Sequence, residues 1–192
     1  GGSTSDSLDP RTMPDDPTSF IAWQVRYSRS EIDHQGNCIP ELAESWEPTP
    51  DAAKWIFNLR KGVEFHNGKS LEAEDVIHSL NLHRGETKSS AKAYMRQVKD
   101  IQADGKHRVV ITLDAGNADF PYFMADVHYT IQPAGTTDFN AGIGTGGYKL
   151  VRFQPGVSSL VKRNPNYWKE GRAHFDEIEI LIIADATART NA

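Results

Sequence analysis

A single cysteine, Cys38, stands in 192 residues, so no disulfide can close within the chain, and cysteine usage does not fix its redox compartment. Long apolar runs are missing as well. The longest, Ile180 to Ala184, falls far short of the roughly 18 to 20 residues that cross a bilayer as a helix. There is no excess of positive charge: 21 Lys and Arg face 26 Asp and Glu, a formal charge of −5. The basic residues form no run, which argues against nucleic acid as a partner. Gly1 to Ser7 carry no initiator Met, basic segment or apolar segment, so no secretory signal is read there and residue 1 is expected not to be the start of translation. Internal repeats and low-complexity tracts are absent too. What remains, 38% hydrophobic and 24% charged residues, describes a folded chain with one ample core or two small ones.

Apolar spacing divides that chain into strands and helices. Phe20, Ile21, Trp23, Gln24 and Tyr27 fit one helix face after a polar loop, with Thr18 or Ser19 as cap. Gln35-Gly36-Asn37 reads as a turn. Trp55, Phe57 and Leu59 alternate with polar residues as a strand with one buried face. Ala73, Val76, Ile77 and Leu80 recur at helical spacing, with Glu72, Glu74 and Asp75 at the start and His83 and Arg84 at the end, as the helix macrodipole favours. A helix is predicted from about Ser90 to Val98, and a hairpin over Asp100 to Leu113 about Asp104-Gly105. Asn117 to Asp126 reads as a short helix with Pro121 near its first turn. A second hairpin, Tyr148–Phe153 with Val157–Lys162, turns at Gln154-Pro155-Gly156. Glu177 to Ile183 reads as a buried strand, and Asp185 as the cap of a helix. The mixture gives an α+β, or mixed α/β, fold.

Most chemical motifs have a plainer explanation. Gly142-Ile143-Gly144-Thr145-Gly146-Gly147 matches G-x-G-x-x-G, but a loop precedes it and a strand follows, the reverse of the strand-then-helix context a dinucleotide needs. No Lys-Ser or Lys-Thr pair follows it to complete a Walker loop. Glycines serving a tight crossover are the better account. A nucleotide-dependent enzyme or hydrolase using Gly142 to Gly147 remains the alternative. The histidines His66, His78, His83, His107, His128 and His174 are scattered, and no metal site or other cofactor is expected. No Gly-x-Ser-x-Gly elbow occurs. Asp15-Asp16 and Glu74-Asp75 fit a loop and a helix start better than acid and base roles. Cys38, beside Ile39, reads as a buried, inert thiol. Trp46, Trp55 and Phe57 are assigned to the core, whereas Trp23 and Tyr27 suit a binding cleft.

Three stretches resemble one family in order and spacing. The first is Asn37-Cys38-Ile39-Pro40-Glu41-Leu42-Ala43-Glu44-Ser45-Trp46-Glu47. The second runs from Trp55 through Leu59-Arg60-Lys61-Gly62-Val63 and Phe65-His66-Asn67-Gly68-Lys69 to Ala73-Glu74-Asp75-Val76 and Ser79-Leu80. The third comprises Gly144-Thr145-Gly146-Gly147-Tyr148-Lys149-Leu150, Arg163-Asn164-Pro165-Asn166-Tyr167-Trp168 and Asp185-Ala186-Thr187-Ala188-Arg189. Together they resemble the extracytoplasmic solute-binding proteins, family 5, of peptide and nickel ABC transporters, from Leu8-Asp9-Pro10 onward. Departures are Tyr27-Ser28-Arg29-Ser30 in place of a common Tyr-Glu-Gly-Leu, and Gly147 in place of Pro.

The resemblance implies the first lobe of a type II periplasmic-binding-protein-like fold, truncated. Residues 1–40 and 143–192 would form the ligand-facing subdomain, 41–142 an inserted subdomain, and the second lobe would be absent. It implies a non-enzymatic, periplasmic or otherwise extracytoplasmic component. Such a component traps a peptide-like solute, or a nickel chelate or sugar, and presents it to ABC permease subunits. Trp23, Gln24, Tyr27, Asn140 and Thr145 are the residues expected to line the cleft. An interaction scaffold without a ligand of its own is the third reading, and the apolar segment Ile178 to Ile183 is expected to favour self-association.

Overall fold

The computed structural model describes residues 2–13, 17–26, 28, 30–183 and 185–191. Its largest sheet has four antiparallel strands in the order β3-β4-β6-β5, where β3 is Ala43–Pro48, β4 Lys54–Leu59, β5 Val98–Ala103 and β6 Arg108–Leu113. On β4 the alternation seen in the sequence is the observed pattern: Trp55, Phe57 and Leu59 are buried. Opposite it, Val109, Ile111 and Leu113 of β6 are buried likewise. Helix α2 (Ala73–Asn81) packs on β5 and β6 through Ala73, Val76 and Leu80. Its start is fixed by Asp75, whose buried carboxylate accepts from the Glu72 N–H at 2.9 Å, the Ala134 N–H at 2.7 Å and the Lys69 ammonium at 2.7 Å. The cap is thus Glu72, with Asp75 satisfying an otherwise orphaned helix donor.

A second, three-stranded antiparallel sheet runs β7-β8-β9, formed by Tyr148–Gln154, Ser158–Arg163 and Glu177–Leu181. The helix α1 (Pro17–Val25) lies against β7 and β8. A two-stranded ribbon, β1 (Ser30–Ile32) with β2 (Cys38–Pro40), precedes both sheets in sequence and turns at Gly36, whose φ is +85°. The short helices are α3 (Lys92–Met95), α4 (Phe120–Phe123) and α5 (Ala186–Asn191). Asp185 caps α5 by accepting from the Ala188 N–H at 2.7 Å.

Buried apolar side chains form two clusters. The larger draws only on residues 42–131, with Ile143 and Trp168 packed on its edge. The smaller joins Val25 of α1 to Tyr148 and Val161 of the second sheet, with Leu150, Ala173 and Ile178 around them.

Several expectations need correction. Helix α1 begins at Pro17, so Thr18 and Ser19 lie within its first turn and are buried rather than capping it. Phe20 and Trp23 point outward, 47% and 53% exposed, while Ile21, Ala22 and Val25 face the core. Phe20, Ile21 and Trp23 therefore do not share one face. The helix expected over 90–98 is only α3, because Val98 opens β5 opposite Leu113. Met95 and Val98 are both buried, so three-residue apolar spacing occurs here in a helix that hands over to a strand. The segment expected over 117–126 shrinks to α4, with Pro121 in its first turn. Strand β9 is not buried: among the described residues it is an edge paired with β8 alone, and its side chains alternate between exposed and half-buried. The Cys38 thiol is half-buried, and burial pushes its pKa up, in keeping with an inert role.

Candidate functional site

The crossover from residue 139 to 147 is where the two clusters meet, and Arg26 organises it. This guanidinium is 1% exposed. It donates to the carbonyls of Leu8 at 2.6 Å, Phe139 at 2.6 Å and, at 3.4 Å, Ile143. Burial lowers its pKa to about 10, partly opposed by Asp9 and Asp138, so it stays charged at neutral pH. Two backbone segments remote in sequence, one at Leu8 and the other at Phe139 and Ile143, thus converge on one planar donor, a geometry lysine lacks.

Glycines then let the crossover touch α1 directly. A Cβ on Gly144 would lie 2.2 Å from the Val25 carbonyl oxygen, and one on Gly146 2.4 Å from that of Gln24. The Gly146 N–H donates to Val25 O at 3.0 Å. His66 locks the other side. The Gly144 N–H donates to its Nδ1 at 3.3 Å, which leaves Nε2–H to donate to Gly146 O at 3.0 Å. Burial holds the imidazole below the usual histidine range, consistent with this neutral tautomer. Asn164 and Trp168 complete the clamp by donating to Gly146 O at 3.1 Å and Thr145 O at 3.2 Å.

That geometry decides against the nucleotide reading of Gly142 to Gly147. A phosphate cradle needs free N–H groups, often at a helix N-terminus. Here the Gly144 and Gly146 donors are spent on His66 and Val25, and a strand follows. Among the described residues, no group of three His, Cys, Asp or Glu could hold a metal ion, and no helix is long and apolar enough to cross a membrane.

Two cavities open beside the clamp. One, of about 390 Å³, is lined by Trp23, Arg26, Glu31, Ile32, Glu41 and Val127, among others. The other, of about 440 Å³, includes Phe20, Gln24, Tyr148, Tyr167, Lys169 and Arg172. Glu31 of β1 lines both. Behind it the carboxylate of Glu41, 1% exposed, accepts a short hydrogen bond from Lys169. Burial and the neighbouring Glu31 push the Glu41 pKa up to about 7 against the pull of Lys169.

The expected cleft residues separate in this arrangement. Trp23 lines the first cavity and Gln24 the second. Asn140 instead accepts from the Leu8 N–H at 2.8 Å and from the Ser7 hydroxyl, tying down the N-terminal segment. Thr145 is wholly buried, and its hydroxyl has no hydrogen-bond partner among the described residues. Tyr27 lies outside the described residues. Sequence reasoning overlooked Glu31, Glu41 and Lys169. Glu41 sits within a recognised motif, but nothing in the spacing shows that residue 169 would meet it.

Comparison with known proteins places this geometry in context. Residues 37–192 match the family model described as bacterial extracellular solute-binding proteins, family 5, middle. The uncharacterized protein YhjP of Bacillus subtilis is 31% identical over 77% of this chain and 25% of its own length. Probable di/tripeptide-binding protein 5 of Pseudomonas aeruginosa is 27% identical over 81% of this chain and 35% of its own. The solved structure of the binding protein AgaA from A. tumefaciens R10, in complex with agropinic acid, superposes with a TM-score of 0.91 at 26% identity. That match covers 99% of this chain and 40% of AgaA. The chain thus spans between a quarter and two fifths of the proteins it resembles here.

Proposed function

The chain belongs to the bacterial extracellular solute-binding proteins, family 5, and from that membership we propose that it works, without catalysing a reaction, in capturing a peptide-like small solute for an ABC permease outside the cytoplasm. The observation that carries this reading is the pair of adjoining cavities at the clamp, one of them bearing the half-exposed Trp23 ring. Aromatic surface with a few placed polar groups is the usual make-up of a small-molecule pocket. Trp23 and Gln24 would face the solute. Asn140 and Thr145 would position the crossover that carries α1. The two buried clusters support a division into a subdomain of residues 41–142 and another of 1–40 with 143–192. Closure of lobes over the solute would give the permease a state it can tell from the empty one.

Titrating the complete encoded protein with a pool of di- and tripeptides, and reading tryptophan fluorescence together with the radius of gyration, tests the proposal. Saturable fluorescence change with compaction is the expected result. Peptides that change neither would overturn the peptide-like assignment.

The edge strand β9 carries Leu181, 62% exposed, and Phe175 stands nearby at 68%. An unpaired edge with apolar side chains is a template for pairing, so the 192-residue chain on its own is expected to self-associate. Light scattering that returns the mass of one chain at high concentration would contradict this.

A further inference from the structure

Glu31 and Glu41 place two carboxylates around one ammonium, that of Lys169. Lys169 bonds Glu41 Oε1 and stands 3.9 Å from Glu31 Oε2. Glu41 Oε2 is buried and has no hydrogen-bond partner among the described residues, although its residue lines the 390 Å³ cavity. A buried carboxylate oxygen left without a donor is costly, and an incoming donor would remove that cost.

We propose that this cavity is a subsite for a primary ammonium group of the solute, seated between the Trp23 ring and the carboxylates of Glu31 and Glu41. The proposal rests on the solute-binding reading above and deepens it by naming a chemical class. The residues supply each part of such a niche. Glu31, on β1, has a side chain 53% exposed and is met first. Trp23 offers an aromatic face, which attracts cations. Ile32, Ala125 and Val127 line the remainder for an apolar stem. Lys169 stays on Glu41 Oε1, so the solute's ammonium would come to Oε2 as a second cation rather than replace it.

The charge around Glu41 favours a second cation. The groups facing Glu41 are Glu31 from β1 and Lys169 from the segment after β8, while Arg60 holds its backbone carbonyl at 2.6 Å. Arg26 lines the same cavity, but its donors are committed to backbone carbonyls. Two carboxylates against one lysine leave a negative charge in excess, which a proton on Glu41 offsets. With a pKa of about 7, Glu41 is close to half protonated at neutral pH. When the solute's ammonium binds, the O–H bond of the Glu41 carboxyl breaks, the proton leaves to solvent, and the carboxylate accepts an N–H from the ammonium.

The probe is n-butylammonium chloride, added to the complete encoded protein labelled with ¹³C at glutamate side-chain carboxyls, with Glu41→Gln assigning the signal. Saturation is expected to lower the apparent pKa of Glu41 by about one unit or more, as an opposite charge at contact does. Calorimetry in buffers of different ionisation enthalpy should show proton release near pH 7 that Glu41→Gln abolishes. Glu31→Gln, at an exposed position, should weaken binding by roughly tenfold, the loss of one charge-assisted contact. An unchanged Glu41 titration, or an equal shift with sodium chloride or 1-butanol, overturns the subsite. If peptides close the protein while butylammonium leaves Glu41 untouched, this inference fails and the solute-binding reading stands. The converse outcome sinks the peptide reading and keeps the subsite.

Discussion

Arg26→Met is expected to lower the free energy of unfolding by about 3–5 kcal/mol, the cost typical of dismantling a buried charged network. Methionine keeps most of the volume and removes the donors. The carbonyls of Leu8 and Phe139, each bonded at 2.6 Å, and of Ile143 would then be left inside the protein without a partner. The nearby carboxylates add to the loss. Asp9 is buried and its pKa, raised by burial, is pulled back below the usual range by hydrogen bonds from Arg11, with Lys88 assisting. It keeps those partners, so the destabilisation should come mainly from the orphaned carbonyls. Arg26→Lys should recover little, because a single ammonium cannot reach three separated carbonyls in one plane. Urea denaturation measures both. A loss under about 1 kcal/mol for the Met variant would mean that water replaces the guanidinium, and the clamp would not depend on it.

Where the sequence was legible, a single period decided the outcome. Trp55, Phe57 and Leu59 on β4, and Ala73, Val76 and Leu80 on α2, show their burial directly in their spacing, because one face of each element meets the core. Strand β3 was illegible for the opposite reason: Ala43 alone is buried there and Trp46 half-buried, so an edge strand open to solvent leaves little alternation to read. The ribbon β1 and β2 is too short to show a period at all. Strand β9 misled by composition: Ile178 packs on the smaller cluster and Ile180 is half-buried, but Leu181 on the opposite face is open, so the apolar run does not make a buried strand.

The candidate site was legible only in part. The motif containing His66 and the glycine run were conspicuous, yet their function emerges only when residues 66 and 144–146 are seen to bond each other. Trp23, an aromatic following a polar loop, does line a cavity. Glu41 and Lys169 could not have been paired from spacing, since 128 positions separate them. The chemistry that sequence reading misses is of this kind: a charge whose environment is made by a remote segment.

Gly144→Ala is expected to cost about 3 kcal/mol or more, at or beyond the upper end for overpacking a well-filled site. The added methyl would stand 2.2 Å from Val25 O and 2.9 Å from Arg26 Cα, and backbone atoms cannot swing aside as a side-chain tip can. Relief would require the end of α1 to retreat. That would lengthen the Gly146 N–H bond to Val25 O and strain the Arg26 contacts together. Gly146→Ala should behave alike, with Gln24 O at 2.4 Å and Val25 C at 2.6 Å. Gly147→Ala provides the internal contrast. Its nearest neighbours are the Ala173 Cβ at 3.1 Å and the Tyr167 ring at 3.2 Å, contacts that a shift of a few tenths of an ångström relieves, so a cost below about 1 kcal/mol is expected. The order of the three variants in thermal or urea unfolding therefore separates a backbone packing role from a phosphate-binding one. A nucleotide loop would lose ligand affinity with little change in the stability of the empty protein, and wild-type stability in Gly144→Ala would refute the close contact. Because α1 carries Trp23 and Gln24, any folded Gly144 or Gly146 variant should also bind solute less tightly, the two cavities being built on the same helix that the glycines hold in place.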